Sequence, residues 1–192
     1  MLPLLLASST VYRRDLLARL RLDFSCSAPD IDESHRPDEP AVELVKRLSL
    51  EKAQALAASH PNHLIIGSDQ VAVLNDHIIG KPHTFDKARQ QLLDASGASV
   101  TFLTGLTLLN SQTGEHQTDC VPFTVHMRTL STEQIERYLH TEQPYDCAGS
   151  FKAEGLGVSL FQRTEGDDAT SLVGLPLIRL VDMLMNAGVA IP

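Results

Sequence analysis

The chain has 192 residues, of which 16 are Lys or Arg and 24 are Asp or Glu, giving a formal net charge of −8 at pH 7. A hydrophobic content of 43% is typical of globular proteins and argues against intrinsic disorder. The negative charge excludes a non-specific nucleic-acid binder, although a few clustered cations and a metal ion would still hold a small polyanion.

The three cysteines, Cys26, Cys120 and Cys147, lie far apart and lack metal-ligand spacing, so neither a zinc module nor a disulfide framework is indicated. A reducing cytoplasm is therefore the expected location. The apolar run at residues 2–7 is short and has no basic segment before it, so it predicts a buried strand rather than a signal peptide. No stretch matches the ~20 predominantly apolar residues of a membrane-spanning helix.

The predicted elements alternate between strands and helices along the chain. The first part of the chain is predicted to contain a strand at 4–7, a helix from Val11, a strand at 24–28, a polar loop at 29–40 and a helix at 41–59. A strand at 64–74, a turn at Asn75 and Asp76, a strand at 77–79, a helix at 85–95 and an antiparallel pair of strands at 100–109 and 121–127 follow. The last part is predicted to contain a helix capped by Ser131, a glycine-containing loop at 145–157, a strand at 158–161, a turn at 165–170 and a helix between Pro176 and Gly188. This order predicts an α/β fold, and the hairpins predict a mixed sheet with flanking helices. No linker separates independent parts, so residues 1–192 are predicted to form a single domain.

The turn between the first strand and the first helix is a candidate phosphate site. Ser8 ends the strand, and Arg13 lies in the first turns of the helix. A helix N-terminus favours phosphate, and an arginine can bind phosphate oxygens through two hydrogen bonds. The alternative is a capped surface helix with exposed arginines. The segment has no glycine and no P-loop motif.

Two charged residues are predicted in apolar surroundings. Asp69 lies within the near-continuous apolar run at 64–74, where a carboxylate is costly unless it is paired, hydrogen-bonded or bound to metal. Lys52 lies on the apolar stripe of the helix at 41–59, so it either reaches past the edge of the core or points into a cleft. For Asp69 the alternative to a catalytic role is a structural salt bridge.

Lys81 and the acidic loop complete the candidates. A two-residue turn at Asn75 and Asp76 pairs the flanking strands, and the same register continued places Lys81 opposite Gln70. The acids Asp32 and Glu33 could hold Mg²⁺ if substrate phosphates supplied further ligands. An exposed hairpin lysine and a solvated acidic loop are the alternatives. Together, these cations and acids on separate elements suit phosphoanhydride cleavage with a divalent ion.

The chain resembles the Maf-like family of nucleoside triphosphate pyrophosphatases over nearly its whole length. The resemblance rests on seven ordered segments: Leu6-Ala7-Ser8 followed by Arg13-Arg14, Asp32-Glu33, Glu51-Lys52-Ala53, Gly67-Ser68-Asp69, Gly80-Lys81-Pro82, Ala148-Gly149-Ser150 through Gly155, and Val173-Gly174-Leu175-Pro176-Leu177. It implies a twisted mixed sheet in two lobes around a central substrate cleft. It also implies hydrolysis of a nucleoside triphosphate to the monophosphate and pyrophosphate with Mg²⁺, Mn²⁺ or Co²⁺.

The resemblance also implies roles for particular residues. The phosphates would be held by Ser8, Arg13, Lys52 and Lys81; the metal would be engaged by Glu33 and Asp69; and Asp69 would activate water. The substrate is a small nucleotide, no nucleic acid or membrane partner is expected, and the family is compatible with a homodimer.

Three positions bear on the choice of base. Members that act on thymidine and uridine triphosphates have Arg, Thr and Gln where this chain has Tyr12, Gln70 and Glu154. The set present here resembles the subgroup that prefers 7-methyl-GTP. An aromatic ring favours stacking on a cationic base, and a glutamate can accept hydrogen bonds from guanine N1–H and N2–H. The rival hypotheses are a pyrimidine triphosphate pyrophosphatase of the same fold and a nucleotide-binding regulator of septum formation.

Overall fold

The computed structural model describes residues 2–191, and every structural statement below refers to them. The helices and strands, in chain order, are β1 (Leu4–Ala7), α1 (Val11–Ala18), β2 (Phe24–Ser27), α2 (Ala41–Ala57), β3 (Leu64–Leu74), β4 (His77–Ile79), α3 (Phe85–Ala95), β5 (Ser99–Asn110), β6 (His116–Met127), α4 (Thr132–Glu142), β7 (Phe161–Glu165), α5 (Ala169–Val173) and α6 (Leu177–Asn186). Short 3-10 turns occupy Ala148–Ser150 and Leu156–Leu160. No helix of the described chain is long and apolar enough to cross a membrane.

The strands form one seven-stranded sheet in the order β2-β1-β3-β5-β6-β7, with β4 paired to β3. Strand β1 is parallel to both β2 and β3, whereas the β3–β4 and β6–β7 pairs are antiparallel. The predicted mixed α/β fold with flanking helices is confirmed.

Two compact units are distinguished within the chain. The first contains the residues up to Gln70, Leu103–Val121 and the residues from Asp168 onwards; the second contains Val71–Phe102 and Pro122–Asp167. That all of them belong to a single domain stays a prediction.

In the first unit, strand alternation sends successive side chains to opposite faces of the sheet. Leu6 and Ile66 pack in a cluster with residues of α1 and α6. Their neighbours Leu5 and Ile65 pack on the other face against Ala53 of α2. Helices therefore cover both faces of the parallel strands, which explains why these strands are apolar throughout.

Helix α2 lies in direct backbone contact with the sheet because two glycines make room for it. A Cβ atom on Gly67 of β3 would lie 2.0 Å from the carbonyl oxygen of Ser49, and one on Gly105 of β5 would lie 2.0 Å from that of Val45. Lys52 follows Ser49 by about one helical turn. The close approach thus places Lys52 over the strand that carries Asp69.

The predicted strand at 158–161 is wrong except for its last residue, Phe161. Residues Leu156–Leu160 form a 3-10 turn, and strand β7 begins only at Phe161. The turn starts with the N–H groups of Gly155 and Gly157 both bonded to the carbonyl of Lys152, which takes the backbone away from strand geometry. The predicted turn at 165–170 likewise includes the start of α5.

Ser131 caps α4 as predicted. The Ser131 side chain accepts a hydrogen bond from the backbone N–H of Gln134, and the Gln134 side chain accepts one from the Ser131 N–H. Gln134, three residues on, therefore completes a capping box with Ser131.

Candidate active site

A buried lysine bridges two carboxylates in the first unit. Lys52 Nζ lies 2.7 Å from Asp69 Oδ1 and 3.1 Å from Glu33 Oε2. The side chains of Lys52 and Asp69 are only 8% and 9% exposed, whereas that of Glu33 is 58% exposed. Lys52 thus points to Asp69 instead of reaching past the edge of the core. The cluster therefore consists of a buried ion pair, Lys52 with Asp69, and a solvent-exposed carboxylate, Glu33.

Ser8 and Asp69 lie at the same edge of the sheet. The β1–β3 pairing ends at Leu6 opposite Ile66, and Ser8 and Asp69 follow within three residues of that last pair. In the sheet, β2 lies on one side of the β1–β3 pair and β5 lies on the other. From β1 the chain continues to β2, away from β3. In α/β sheets, ligands bind at such points, where neighbouring strands connect in opposite directions.

Arg13 shares the electrostatic environment of this cluster. Its Nε donates a hydrogen bond of 2.8 Å to the carbonyl of Gly174. Burial lowers the pKa of Arg13, and the carboxylates of Asp69 and Glu33 oppose that shift. Within residues 2–191 the guanidinium hydrogen-bonds only through Nε, so its two terminal nitrogens remain available to an anion.

The Gly174 carbonyl is a fixed acceptor. It also accepts from Ser68 Oγ at 3.0 Å, and the same hydroxyl contacts the carbonyl of Gly105 at 2.9 Å. Gly174 has φ +117°, a conformation that favours glycine. A Cβ there would lie 3.5 Å from Arg13 Nε. Ser68 and Arg13 therefore converge on one backbone oxygen.

The turn that presents Gly174 is held by a buried carboxylate. Asp168, 4% exposed, accepts from the Thr170 N–H with Oδ1 and from the Ile178 N–H with Oδ2, both at 2.8 Å. It therefore caps α5 and the first turn of α6 together. The sequence alone does not single out Asp168, because Asp168 itself lies in a segment predicted only as a turn.

Gln70 contacts the same segment through its side-chain amide. Nε2 donates to Thr104 Oγ1 at 3.0 Å, to the Ser171 carbonyl at 2.7 Å and to the Leu172 carbonyl at 3.2 Å. The amide nitrogen therefore already donates its hydrogen bonds to acceptors within the protein. Only Oε1 of Gln70 is left to contact a ligand.

The start of α1, predicted as a phosphate site, has no side-chain cap. The helix begins at Val11, and Thr10 at its N-cap makes no side-chain capping bond. Ser8 is buried, and its Oγ accepts from the Thr10 N–H at 3.2 Å. Tyr12 is exposed on the first turn of the helix.

The loop that carries Glu33 is fixed by Arg47 of α2. Arg47 Nε and Nη2 donate to the two carboxylate oxygens of Glu39 at 2.5 and 2.7 Å, and Nη2 also donates to the Ser34 carbonyl at 3.1 Å. Arg47 Nη1 donates to Glu51 at 3.0 Å. Since Ser34 follows Glu33 directly, this network sets the backbone position from which Glu33 reaches Lys52.

Of the two adjacent acids, only Glu33 faces the cluster. Asp32 Oδ1 instead accepts from the Ser34 N–H at 2.9 Å, and hydrogen bonds from the Ser34 side chain and backbone lower the pKa of Asp32. Asp32 therefore shapes the loop.

In the second unit, the predicted β3–β4 register is confirmed for three pairs: Leu74 with His77, Val73 with Ile78, and Ala72 with Ile79. Strand β4 ends at Ile79, so Lys81 lies beyond the paired residues and not in a strand opposite Gln70. Lys81 and Glu154 are both exposed.

Cys147 brings Lys81 and Glu154 into one electrostatic neighbourhood. Its pKa is raised to about 11 by burial, and then by Asp146 and Glu154, while Lys152 and Lys81 oppose the shift. The thiol is therefore protonated at neutral pH and is a poor nucleophile.

The carboxylates of the first unit fit a divalent ion only in part. No group of three or more His, Cys, Asp or Glu within residues 2–191 could hold a metal by itself. Asp69 Oδ2 and Glu33 Oε1 remain outside the ion pairs with Lys52. Two carboxylate oxygens suit Mg²⁺ or a similar hard ion that takes its other ligands from phosphates and water.

A solved structure has a similar fold. A HAM1 protein from Coxiella burnetii aligns with a TM-score of 0.56 over 97% of this chain and 100% of that one, at 16% identity. The chain therefore has the mixed α/β fold of that structure. The family model described as Maf-like protein matches residues 3–187, and the chain belongs to this family.

Several relatives are much more similar in sequence. A protein of Pseudomonas fluorescens strain Pf-5 is 79% identical over the full length of both chains. One of Pseudomonas aeruginosa is 68% identical over 98% of both chains. A protein of Alcanivorax borkumensis is 58% identical over 98% of this chain and 96% of its own. All three are named 7-methyl-GTP pyrophosphatase.

Proposed function

We propose that this protein is a cytoplasmic nucleoside triphosphate pyrophosphatase that hydrolyses 7-methyl-GTP to 7-methyl-GMP and pyrophosphate, and so removes a modified nucleotide. The observation that carries the proposal is the buried Lys52 ammonium between Asp69 and the exposed Glu33. Membership of the Maf-like family and the names of its relatives support the same activity.

The positive groups suit a polyanionic substrate. Lys52 and Arg13, together with the Ser8 hydroxyl and Lys81, are the residues proposed to bind phosphate oxygens. These local charges matter because the chain as a whole is negative and would otherwise repel a triphosphate. Arg13 is oriented for this through Nε, which leaves both terminal nitrogens for phosphate.

Glu33 and Asp69 are proposed to hold Mg²⁺, Mn²⁺ or Co²⁺ together with substrate phosphates. When bound, such an ion neutralises charge on the phosphate oxygens and lowers the pKa of bound water. The chain contributes two carboxylates at fixed positions, one held by Lys52 and the other by the loop fixed by Arg47.

Asp69 is proposed to accept the proton of the attacking water. Because Oδ1 is engaged by Lys52, Oδ2 is the oxygen left for both proposed roles of Asp69, contact with the ion and receipt of the proton. Water adds to phosphorus, and the bond between the α- and β-phosphates breaks. The nucleoside monophosphate and pyrophosphate leave as products.

The base is proposed to be selected by Tyr12, Gln70 and Glu154. Tyr12 can stack on the cationic 7-methylguanine ring. Glu154 can accept from N1–H and N2–H, a pair of donors that thymine and uracil lack. For Gln70, the free Oε1 is the atom through which it can contact a ligand.

The test is release of pyrophosphate and monophosphate from 7-methyl-GTP, GTP, dTTP and UTP, with Asp69→Asn as the inactive control. We expect the highest kcat/KM for 7-methyl-GTP. Equal or faster hydrolysis of dTTP or UTP would favour the pyrimidine pyrophosphatase hypothesis, whereas binding without hydrolysis would favour a nucleotide-binding regulator. The predicted homodimer is tested separately by sedimentation velocity.

A further inference from the structure

The loop that carries Glu154 is tightly folded on itself. The N–H groups of Gly155 and Gly157 both donate to the carbonyl of Lys152, at 3.2 and 3.1 Å. Glu154 lies inside this turn and is exposed. Among the residues described, its carboxylate accepts no hydrogen bond, so the backbone is restrained while the side chain stays open.

Helix α4 anchors this loop on both sides of Glu154. The Tyr138 hydroxyl accepts a hydrogen bond of 3.0 Å from the Lys152 N–H, two residues before Glu154. Glu142 Oε2 accepts one of 2.7 Å from the Leu156 N–H, two residues after it. Tyr138 and Glu142 are four residues apart and so lie on one face of the helix.

The fit between Glu142 and the loop leaves no room for a side chain. A Cβ on Gly155 would lie 2.7 Å from Glu142 Oε1 and 2.9 Å from Oε2. The Glu142 side chain is 16% exposed, and its Oε1 also lies 3.9 Å from Lys152 Nζ. Moving the carboxylate away would break its hydrogen bond to Leu156. The contact therefore holds the loop at one distance from α4.

We infer that Glu142 is a positioning residue for base recognition: together with Tyr138 it holds Glu154 where its carboxylate meets the purine edge. The inference rests on the proposed function. It assigns to Glu142 no contact with substrate. A displacement of about 1 Å at a recognition group is enough to cost a large factor in rate, so loosening the loop changes the choice of base more than it changes phosphate chemistry.

The test compares kcat/KM for 7-methyl-GTP, GTP and dTTP in the full-length parent and in Glu142→Ala. We expect the ratio of 7-methyl-GTP to dTTP to fall by ~10-fold or more, with kcat for dTTP unchanged within about 2-fold. Glu142→Gln keeps an oxygen that can accept from Leu156 and should restore most of the ratio. Glu136→Ala is the matched control, because Glu136 is on the same helix and pairs with Arg89 instead.

A second comparison separates the contact from a general loss of stability. Gly155→Ala should lower the ratio in the parent, because the new methyl displaces Glu142. In the Glu142→Ala background it should have no further effect, because the colliding atoms are gone. Additive effects of the two changes would overturn the inference. Tyr138→Phe, which keeps the ring and loses the acceptor for Lys152, should also lower the ratio even if Glu142→Ala does not fold.

The outcomes distinguish the two proposals. A parent enzyme without preference for 7-methyl-GTP overturns the proposed function, and the inference with it. A parent with that preference, and a folded Glu142→Ala or Tyr138→Phe with an unchanged ratio, overturns the inference alone. Folding is checked by the midpoint of denaturant unfolding.

Discussion

The ammonium of Lys52 lies 2.7 Å from Oδ1 of Asp69, with both side chains less than a tenth exposed. Each charge is compensated by the other, and removing one partner would leave the other buried and unpaired. Replacing a buried ion pair with apolar side chains is often neutral or stabilising. Stability alone is therefore a weak reason for such a pair, which is expected where charge is used in chemistry.

Asp69→Asn should abolish most of the turnover without unfolding the protein. The amide keeps the shape of the carboxylate but cannot serve as a base, so kcat should fall by at least ~10²-fold. Asp119→Asn is the control, because Asp119 is a half-exposed acid paired with Arg179. Near-normal turnover of Asp69→Asn with Mg²⁺ or Mn²⁺ present would rule out the proposed mechanism.

Arg13→Lys should weaken catalysis although the charge is kept. Lysine cannot both donate to the Gly174 carbonyl and offer a planar pair of nitrogens to phosphate. Losing one charge-assisted hydrogen bond should lower kcat/KM by about 10-fold or more. Arg14→Lys, at an exposed residue paired with Asp15, should stay within about 2-fold. The two variants are compared by steady-state kinetics. Equal values of kcat/KM would indicate that Arg13 has only a structural role.

Gly67→Ala should destabilise the fold. Its new methyl would lie 2.0 Å from the Ser49 carbonyl, so α2 would have to move off the sheet. Overpacking of this kind costs about 1–3 kcal/mol or more. Gly80→Ala is the matched control and should change stability by less than about 0.5 kcal/mol. Apart from its chain neighbours, no described residue has an atom within 4 Å of the point that the new methyl would occupy. Urea unfolding measures both, and similar midpoints would contradict the close packing.

The Glu39–Arg47 pair predicts a pH dependence of stability. Hydrogen bonding to Arg47 lowers the pKa of Glu39 from 4.5 to about 2. A carboxyl with a lowered folded-state pKa stabilises the fold above its unfolded-state value and loses that contribution as the pH falls. The Glu39→Gln variant should therefore be less stable than the parent near neutral pH. The difference between their free energies of unfolding should disappear as the pH falls from 4.5 to about 2. The measurement is denaturant unfolding of both proteins across this range of pH.

Replacing Tyr12, Gln70 and Glu154 by Arg, Thr and Gln should shift preference towards dTTP and UTP. The reason is that a charged acceptor left unpaired by a pyrimidine costs about 1–3 kcal/mol or more. Glu154→Gln alone should account for most of the change between guanine and pyrimidine, and Tyr12→Arg for that between methylated and plain guanine. The measurement is kcat/KM for four nucleotides, and an unchanged ranking in the triple variant would contradict this assignment.

Local signals predicted the elements that hold the site, but not its contacts. The bounds of β3, β4 and α3 follow from an apolar run, a two-residue turn and helical periodicity, all of which act over a few residues. Lys52 and Asp69 stand out in the sequence as charges in apolar surroundings. That they face one another depends on α2 approaching β3 at Gly67, a packing distance that no local pattern encodes.

The residues that position the site escape sequence reasoning for the same reason. Asp168 joins two helix starts, and Glu142 reaches a loop fourteen residues further on. Neither contact has a sequence spacing that marks it, because a carboxylate accepting backbone N–H groups needs only proximity. The misplaced strand at 158–161 has a related cause, since apolar residues in a 3-10 turn look like a short buried strand.

The hydrogen bond between Arg13 and Gly174 joins residues 161 positions apart. On a ribosome that adds ~5–20 residues per second, Arg13 precedes its partner by roughly 10–30 s. The residues of β1 and α1 are therefore synthesised long before Gly174, whose carbonyl orients Arg13. A nascent chain has no oriented Arg13 until Gly174 has been added to it.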